Sequence, residues 1–289
     1  MAASASGALL AAPELGSGWI LARARGENFV VASRLLPRRE RAALLAVYGF
    51  ARLADEVGDA ASGDRRTLLD ALEQELDRAY AGTARHPLLA RLAPVLREHA
   101  LPREPFLRLI AANRWEQEHR GIRTFDELLD YCALSANPVG ELVLRIFGQA
   151  DPRNVALSNG VCSALQVIEH CQDVAEDRRR GRTYLPAEDL AGLGCPEEDL
   201  AHTPPSAALR RVVEYEIDRA RELLAAGTEL VARLNGYARL AVAGYVAGGI
   251  ATCDALERAG FDPGSPRARR RRRDVARHAA RLFVARAPS

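Results

Sequence analysis

Apolar residues recur every three or four positions along almost the whole chain, the period of helices that bury one face. The stretch RRERAALLAVYGFARLADEVGD sets Leu44, Leu45, Val47, Tyr48 and Leu53 among charged residues, and Pro37 stands at its entry, which predicts a helix over 38–59. Gly63-Asp64 breaks that helix and caps a second over 65–80. Pro87 and Pro102 open two more, through about 98 and 119. A helix starting near Thr124 is interrupted around Ala136-Asn137-Pro138, because proline removes a donor and clashes with the preceding turn; it resumes through 147. Asp151-Pro152 opens a long helix that ends at Gly181. Pro186, Gly192, Gly194, Pro196 and Pro204-Pro205 mark a loop-rich connector over 181–206. Long helices follow over 207–234 and 237–258, and a short one comes after the run at 267–273. Strand signals are scarce and no period of 20–50 residues stands out, so the chain reads as all-α, one domain of about ten or eleven helices.

Composition narrows the chemistry. With 289 residues and 48% apolar content the chain can bury a sizeable core. It contains no lysine, and all 40 basic residues are arginine. That excludes a P-loop, Schiff-base chemistry and the usual kinase site, each of which needs the amine. Gly244, Gly248 and Gly249 follow no strand and make no GxGxxG, so no nicotinamide site is expected. These glycines suit either the close approach of a long apolar chain or tight helix packing. A net charge of +2 gives no general case for nucleic acid. Five cysteines without a CxxC read as reduced and buried in a cytoplasmic protein. The N-terminal MAASASGALLAAPELG lacks a basic region, against a signal peptide, and no run of eighteen apolar residues predicts a membrane span.

The candidate chemistry lies in residues 165–186, LQVIEHCQDVAEDRRRGRTYLP. Asp173 and Asp177 are four residues apart and share a helix face, about 6 Å apart along the axis. Like charges at that spacing cost an isolated helix a few tenths of a kcal/mol, so positive charge should sit before them. Chance makes many acidic pairs. Asp126 and Asp130 are one, read as first-turn acids behind the Thr124 cap. A second stripe runs along the helix over 38–59: Tyr48, Arg52, Asp55 and Asp59. A solvated face is the bland reading of such a stripe, but this one continues an aromatic and apolar surface. Gly58 inside it costs up to about 1 kcal/mol against Ala, tolerable at a helix end or where a ligand comes close. Two helices, each with Asp at i and i+4, suit Mg²⁺, which prefers oxygen ligands and bridges carboxylates to phosphates. Arginine forks then take the remaining phosphate oxygens. Together they would stabilise a departing diphosphate, with the cation left in a dry cavity near aromatic faces. His170 and Cys171 adjoin the stripe, but without partner spacing they make a poor zinc site; a packed supporting role fits better.

YGFARLADEVGD with LQVIEHCQDVAEDRRRGRTYLP resembles the two motifs of the squalene and phytoene synthase family, and ENFVVASRLLP and YCALSANPVG resemble further stretches of it. The resemblance implies a single-domain, type I isoprenoid synthase helical bundle with a central cavity, with 1–18 and 264–289 mobile or peripheral. It also implies Mg²⁺ held by Asp55, Asp59, Asp173 and Asp177, and diphosphate contacts from Arg52 and Arg182. Tyr48, Gln166 and Tyr184 would line the cavity. SANPVG and Gln172, where most members carry Arg, resemble the hydroxysqualene synthase branch of hopanoid biosynthesis. That branch converts presqualene diphosphate without a nicotinamide. The alternatives are a head-to-head prenyltransferase acting on farnesyl diphosphate and a non-catalytic all-α partner protein. Two positions depart from the family: Glu169 replaces the usual Asn and Glu56 the usual Asp. Glu169 would bind metal or upset the arrangement. Gln172, with Asn137, would help position the quenching water, or would only support the residues that meet the substrate. The run from Arg267 to Arg273 reads as a solvated tail, or as a peripheral contact with the anionic inner face of a membrane.

Overall fold

A computed structural model describes residues 7, 9–10, 15, 35–59, 64–119 and 121–284. Among them there is no β-strand, only an isolated parallel bridge between Gly121 and Thr183. Two compact units emerge, Met1–Glu118 with Pro138–Ala150, and His119–Asn137 with Asp151–Ser289.

In the first unit, α1 (Arg38–Asp59) packs on α2 (Arg65–Tyr80), α3 (Pro87–Glu98) and α4 (Glu104–Glu118). The expected bounds of α1, α2 and α3 hold. The helix expected from Pro102 begins two residues later: Arg103 O accepts from Phe106 N and Leu107 N, and Pro105 sits in the first turn, where its missing N–H costs nothing. Asp64 caps α2 by accepting from Arg66 N, and His86 caps α3 by accepting from Leu88 N. The core face of α1 carries Leu44, Val47, Phe50, Ala54 and Val57, all buried. Phe50 meets Phe106 edge-on at 5.0 Å. Each such side chain removed from water contributes about 1.5–3 kcal/mol. That burial fixes the rotation of α1, and with it the direction in which Tyr48, Arg52, Asp55 and Asp59 point.

The second unit is built on α7 (Pro152–Arg179), a 28-residue helix capped by Asp151, which accepts from Asn154 N. The helix α5 (Phe125–Ser135) ends one residue before α6 (Asn137–Ile146), so the expected interruption at 136–138 is present, with Pro138 in the first turn of α6. The connector holds two short elements, α8 (Ala187–Gly192) and a 3-10 turn at Glu197–Ala201. The single helix expected over 207–234 is two, α9 (Ala207–Leu224) and α10 (Ala226–Arg233). The bend is at Ala225, whose N–H is shared between the carbonyls of Arg221 and Glu222. Close packing explains the bend. A Cβ on Gly227 would fall 2.7 Å from Val246 Cγ2 and 3.3 Å from Val161 Cγ2, so α10 is drawn tightly onto its neighbours. Helices α5, α9, α10 and α11 (Gly236–Arg258) all pack on α7. By length and composition α11 is apolar enough to cross a membrane, but 67% of that window is buried, as in a core helix.

The glycines of α11 divide. A Cβ on Gly249 would meet Leu165 Cδ2 at 2.8 Å, so this glycine serves close helix packing, whereas a Cβ on the buried Gly248 would meet nothing within 4 Å. Residues 264–284, expected to be mobile or peripheral, form a 3-10 turn at Pro266–Ala268 and α12 (Arg272–Val284), which packs on α11 through the buried Asp274, His278 and Leu282. Residues 1–6 and 285–289 lie outside the described residues, as does 27–34 of the ENFVVASRLLP stretch.

Candidate active site

In the first unit, α1 presents Tyr48, Arg52, Asp55 and Asp59 along one edge. Arg52 pairs with Glu56 at 2.9 Å and lies 3.9 Å from Asp55. Glu56 is buried, so the residue that departs from the family pattern serves here to hold the Arg52 guanidinium. Helix α4 adds a second row, Asn113, Glu116 and Gln117. Asn113 Nδ2 donates to Asp55 Oδ1 at 3.4 Å and to Leu109 O at 3.1 Å, and Gln117 Nε2 donates to Gly58 O at 3.0 Å. A Cβ on Gly58 would lie 2.9 Å from Asn113 Cγ. The close approach that glycine permits is therefore by a protein side chain, not by a ligand. Asp55 keeps 51% of its side chain open to solvent, yet protein crowds its remaining sides. That desolvation pushes its carboxyl up to about 7; the charge of Arg52 opposes the rise, and Asp59 and Glu116 add to it.

In the second unit, α7 presents Gln166, His170, Asp173 and Asp177 on one face, at i, i+4, i+7 and i+11. Burial pushes Asp173 up to about 6, helped by the like charges of Asp177 and Glu176 and opposed by His170 and Arg180. The arginines that follow do not act alike. Arg178 goes to Glu197 at 3.1 Å and Arg180 to Glu176 at 2.6 Å, whereas Arg182 is buried and its backbone N–H donates to Asp177 O. The segment bearing Arg182 and Tyr184 is held by main-chain bonds: Ile122 N to Thr183 O at 3.1 Å, Ala187 N to Ile122 O at 3.0 Å and Glu188 N to Arg123 O at 3.0 Å. Tyr184 stacks on His170 with centroids 4.0 Å apart, and Tyr131 lies 5.5 Å from Tyr184.

Gln172 and Glu169 are half-buried on α7. Asn137 is buried and accepts from Ser163 Oγ at 3.1 Å. Ser163 lies nine residues before Gln172, about 14 Å along the helix and half a turn round. Asn137 is thus anchored on a different part of α7 from Gln172, and the two are not brought together.

The donors fit a hard, hydrated cation. Among the described residues no three of His, Cys, Asp and Glu converge into a ligand cage, a zinc site included. Mg²⁺ needs no such cage: it takes one or two carboxylates, keeps waters, and completes its shell with substrate phosphates. Two carboxylates that repel each other along one helix face, as Asp173 and Asp177 do, gain most from such an ion.

Reading the sequence alone missed Asn113, Glu116, Gln117 and Tyr131. The signal was faint but present: Asn113, Glu116 and Gln117 put three polar groups at i, i+3 and i+4 beside the buried face of α4.

Comparison with known proteins identifies the family and the fold. Residues 22–276 match the squalene/phytoene synthase family. A phytoene synthase from Mycobacterium tuberculosis is 34% identical over 220 residues, 74% of this chain and 72% of the relative. A hydroxysqualene synthase from Rhodopseudomonas palustris is also 34% identical, over 217 residues, 74% of this chain and 73% of the relative. The crystal structure of squalene synthase HpnC from Alicyclobacillus acidocaldarius superposes with a TM-score of 0.77 at 39% identity, covering 90% of this chain and 99% of that one. The fold is the all-α isoprenoid synthase fold, and the chain belongs to the squalene/phytoene synthase family.

Proposed function

We propose that this enzyme ionises presqualene diphosphate, lets the carbocation rearrange, and captures water to release hydroxysqualene and diphosphate. Gln172 carries this reading: a neutral amide stands next to Asp173 where the family resemblance expects a cation. An amide can hold a water molecule that an arginine would displace. The 34% identity to the hydroxysqualene synthase from Rhodopseudomonas palustris supports the same branch.

Asp55 and Asp59 in the first unit, and Asp173 and Asp177 in the second, are the carboxylates that would hold Mg²⁺, which when bound neutralises charge building on the leaving diphosphate. Arg52, held by Glu56, and Arg182, buried beside the end of α7, supply forks for phosphate oxygens. Tyr48 in the first unit, and Gln166 and Tyr184 in the second, are the residues the family resemblance assigns to the hydrocarbon. Tyr184 presents an aromatic face suited to a passing carbocation. Glu169 adds a carboxylate one turn before Asp173. Asn137, tied to Ser163, is anchored apart from Gln172. No nicotinamide enters the reaction.

A second reading, head-to-head condensation of two prenyl diphosphates to presqualene diphosphate, squalene or phytoene, is favoured by the equal 34% identity to phytoene synthase. A non-catalytic partner role is opposed by the four intact aspartates. Incubation with Mg²⁺ and presqualene diphosphate, without reductant, should yield hydroxysqualene. Accumulation of presqualene diphosphate or phytoene from prenyl diphosphates as the end product would favour the second reading.

The same reading makes the protein cytoplasmic and peripheral to an anionic membrane face. Arg267, Arg269, Arg271 and Arg272 are exposed, while the nearby Asp274 is buried and pairs with Arg258 at 3.3 Å. Phe283 and Val284 are exposed at the far end of α12.

A further inference from the structure

His170 sits inside the acidic stripe and touches three groups that the proposed reaction uses. Its Nε2 lies 3.2 Å from Gln166 Nε2. An amide nitrogen can only donate, so Nε2 is the accepting ring nitrogen in this contact. Nδ1 is 3.9 Å from Asp177 Oδ2. The ring face stacks on Tyr184, 4.0 Å between centroids and 14° between planes. Tyr131 closes the group at 6.1 Å from His170. All three rings are buried, at 7% exposure for Tyr131 and His170 and 8% for Tyr184. A histidine that merely filled a core would need partners only for its own nitrogens. This one gives Nε2 and one face to residues assigned to the site, and its Nδ1 lies 3.9 Å from the Asp177 carboxylate.

We propose that His170 is a positioning residue. Through the Nε2 contact and the stacked ring face it fixes the Gln166 amide and the Tyr184 ring in the orientation they present to the prenyl diphosphate. This rests on the reading that Gln166 and Tyr184 line the reaction space. Such outer partners orient the groups that meet the substrate, and their loss lowers activity without removing any contact to it.

Two measurements test it. In ¹⁵N NMR of the wild-type chain, His170 Nε2 should resonate as an unprotonated ring nitrogen and shift in Gln166→Leu; a protonated Nε2 would overturn the proposal. In kinetics, His170→Phe keeps the stacking face and deletes both nitrogens. It should lower kcat about 10–100-fold, in the range of lost outer partners, with KM little changed. Gln166→Leu should do the same, and the double variant should be no worse than the poorer single one. His170→Gln, which restores an acceptor near Nε2, should recover part of the loss. Wild-type kcat and product ratio in His170→Phe, or losses that multiply in the double variant, would sink the idea. If His170→Phe fails to fold, the cycle is run with His170→Gln. If the wild-type chain converts no prenyl diphosphate, the proposed function falls, while the NMR result still judges His170.

Discussion

Asn113 reaches Asp55, 58 residues earlier in the chain, through a gap that exists because residue 58 is glycine. A Cβ there would fall 2.9 Å from Asn113 Cγ and 3.1 Å from its Cβ, so rotating the amide would not relieve it. Gly58→Ala gains up to about 1 kcal/mol of helix propensity and loses about 1–3 kcal/mol to overpacking. The variant should unfold at a lower temperature and turn over more slowly. Asn113→Ala should reproduce the kinetic defect with a smaller thermal one. Thermal unfolding and initial rates check both.

The raised carboxyls of Asp55 and Asp173 make metal dependence sensitive to pH. Both hold protons toward neutrality, at about 7 and about 6, and a cation must displace those protons. Apparent Mg²⁺ affinity should therefore rise with pH between about 6 and 8, by roughly tenfold or more, in Mg²⁺ titrations of the initial rate. Asp173→Asn and Asp177→Asn should each lower the rate at least about 100-fold with the fold intact by circular dichroism.

Glu216 is fully buried on α9, beside Asp189 and Arg219, and Arg219 Nη1 donates to Asp189 at 2.7 Å and to Glu216 at 3.2 Å. Burial, followed by the hydrogen bond to Asp189, pushes the Glu216 carboxyl well above its ordinary range, against Arg219. The unfolded chain loses this proton near the ordinary glutamate value of 4.5, while the folded chain keeps it to higher pH. Its contribution is complete below pH 4.5 and is lost as pH rises toward the folded value. Glu216→Gln should flatten the fall in stability between pH 5 and 8 by about 1 kcal/mol or more. Urea unfolding at both pH values reads this directly.

Gln172→Arg should shift products away from hydroxysqualene, because a guanidinium displaces the water that the amide holds. Product analysis by mass spectrometry checks it; an unchanged ratio of hydroxysqualene to other lipids would remove Gln172 from the water-holding role.

Replacing Arg269–Arg273 with glutamine should weaken cosedimentation with phosphatidylserine vesicles, and added salt should weaken it in the wild-type chain. Each basic residue near such a surface contributes about 1 kcal/mol. Binding that ignores both changes would leave the run as a solvated tail.

Where local chemistry decides, the sequence was legible. Pro37, Asp64, Thr124 and Asp151 mark helix starts through one residue's geometry or cap, and the two acidic stripes follow from i,i+4 spacing alone. Tertiary packing decided the rest. The bend at Ala225 leaves the apolar period unbroken, because it is set by the fit of Gly227 against Val161 and Val246. The arginines after Asp177 look equivalent in sequence, yet partners at Glu197 and Glu176 draw two of them outward and leave Arg182 buried. Asn113, Glu116 and Gln117 gain their meaning only from the helix they lie against.

The main-chain clip between 121–123 and 183–188 separates two properties that helices usually tie together. Arg182 and Tyr184 hang between the rigid end of α7 and three backbone bonds, so this short span can release without unwinding α7. Changes that loosen the clip would free Arg182 and Tyr184, and on the proposed function would slacken their hold on substrate, while leaving global stability almost untouched. Drift in residues 121–123 can thus retune turnover in a chain whose melting temperature stays the same.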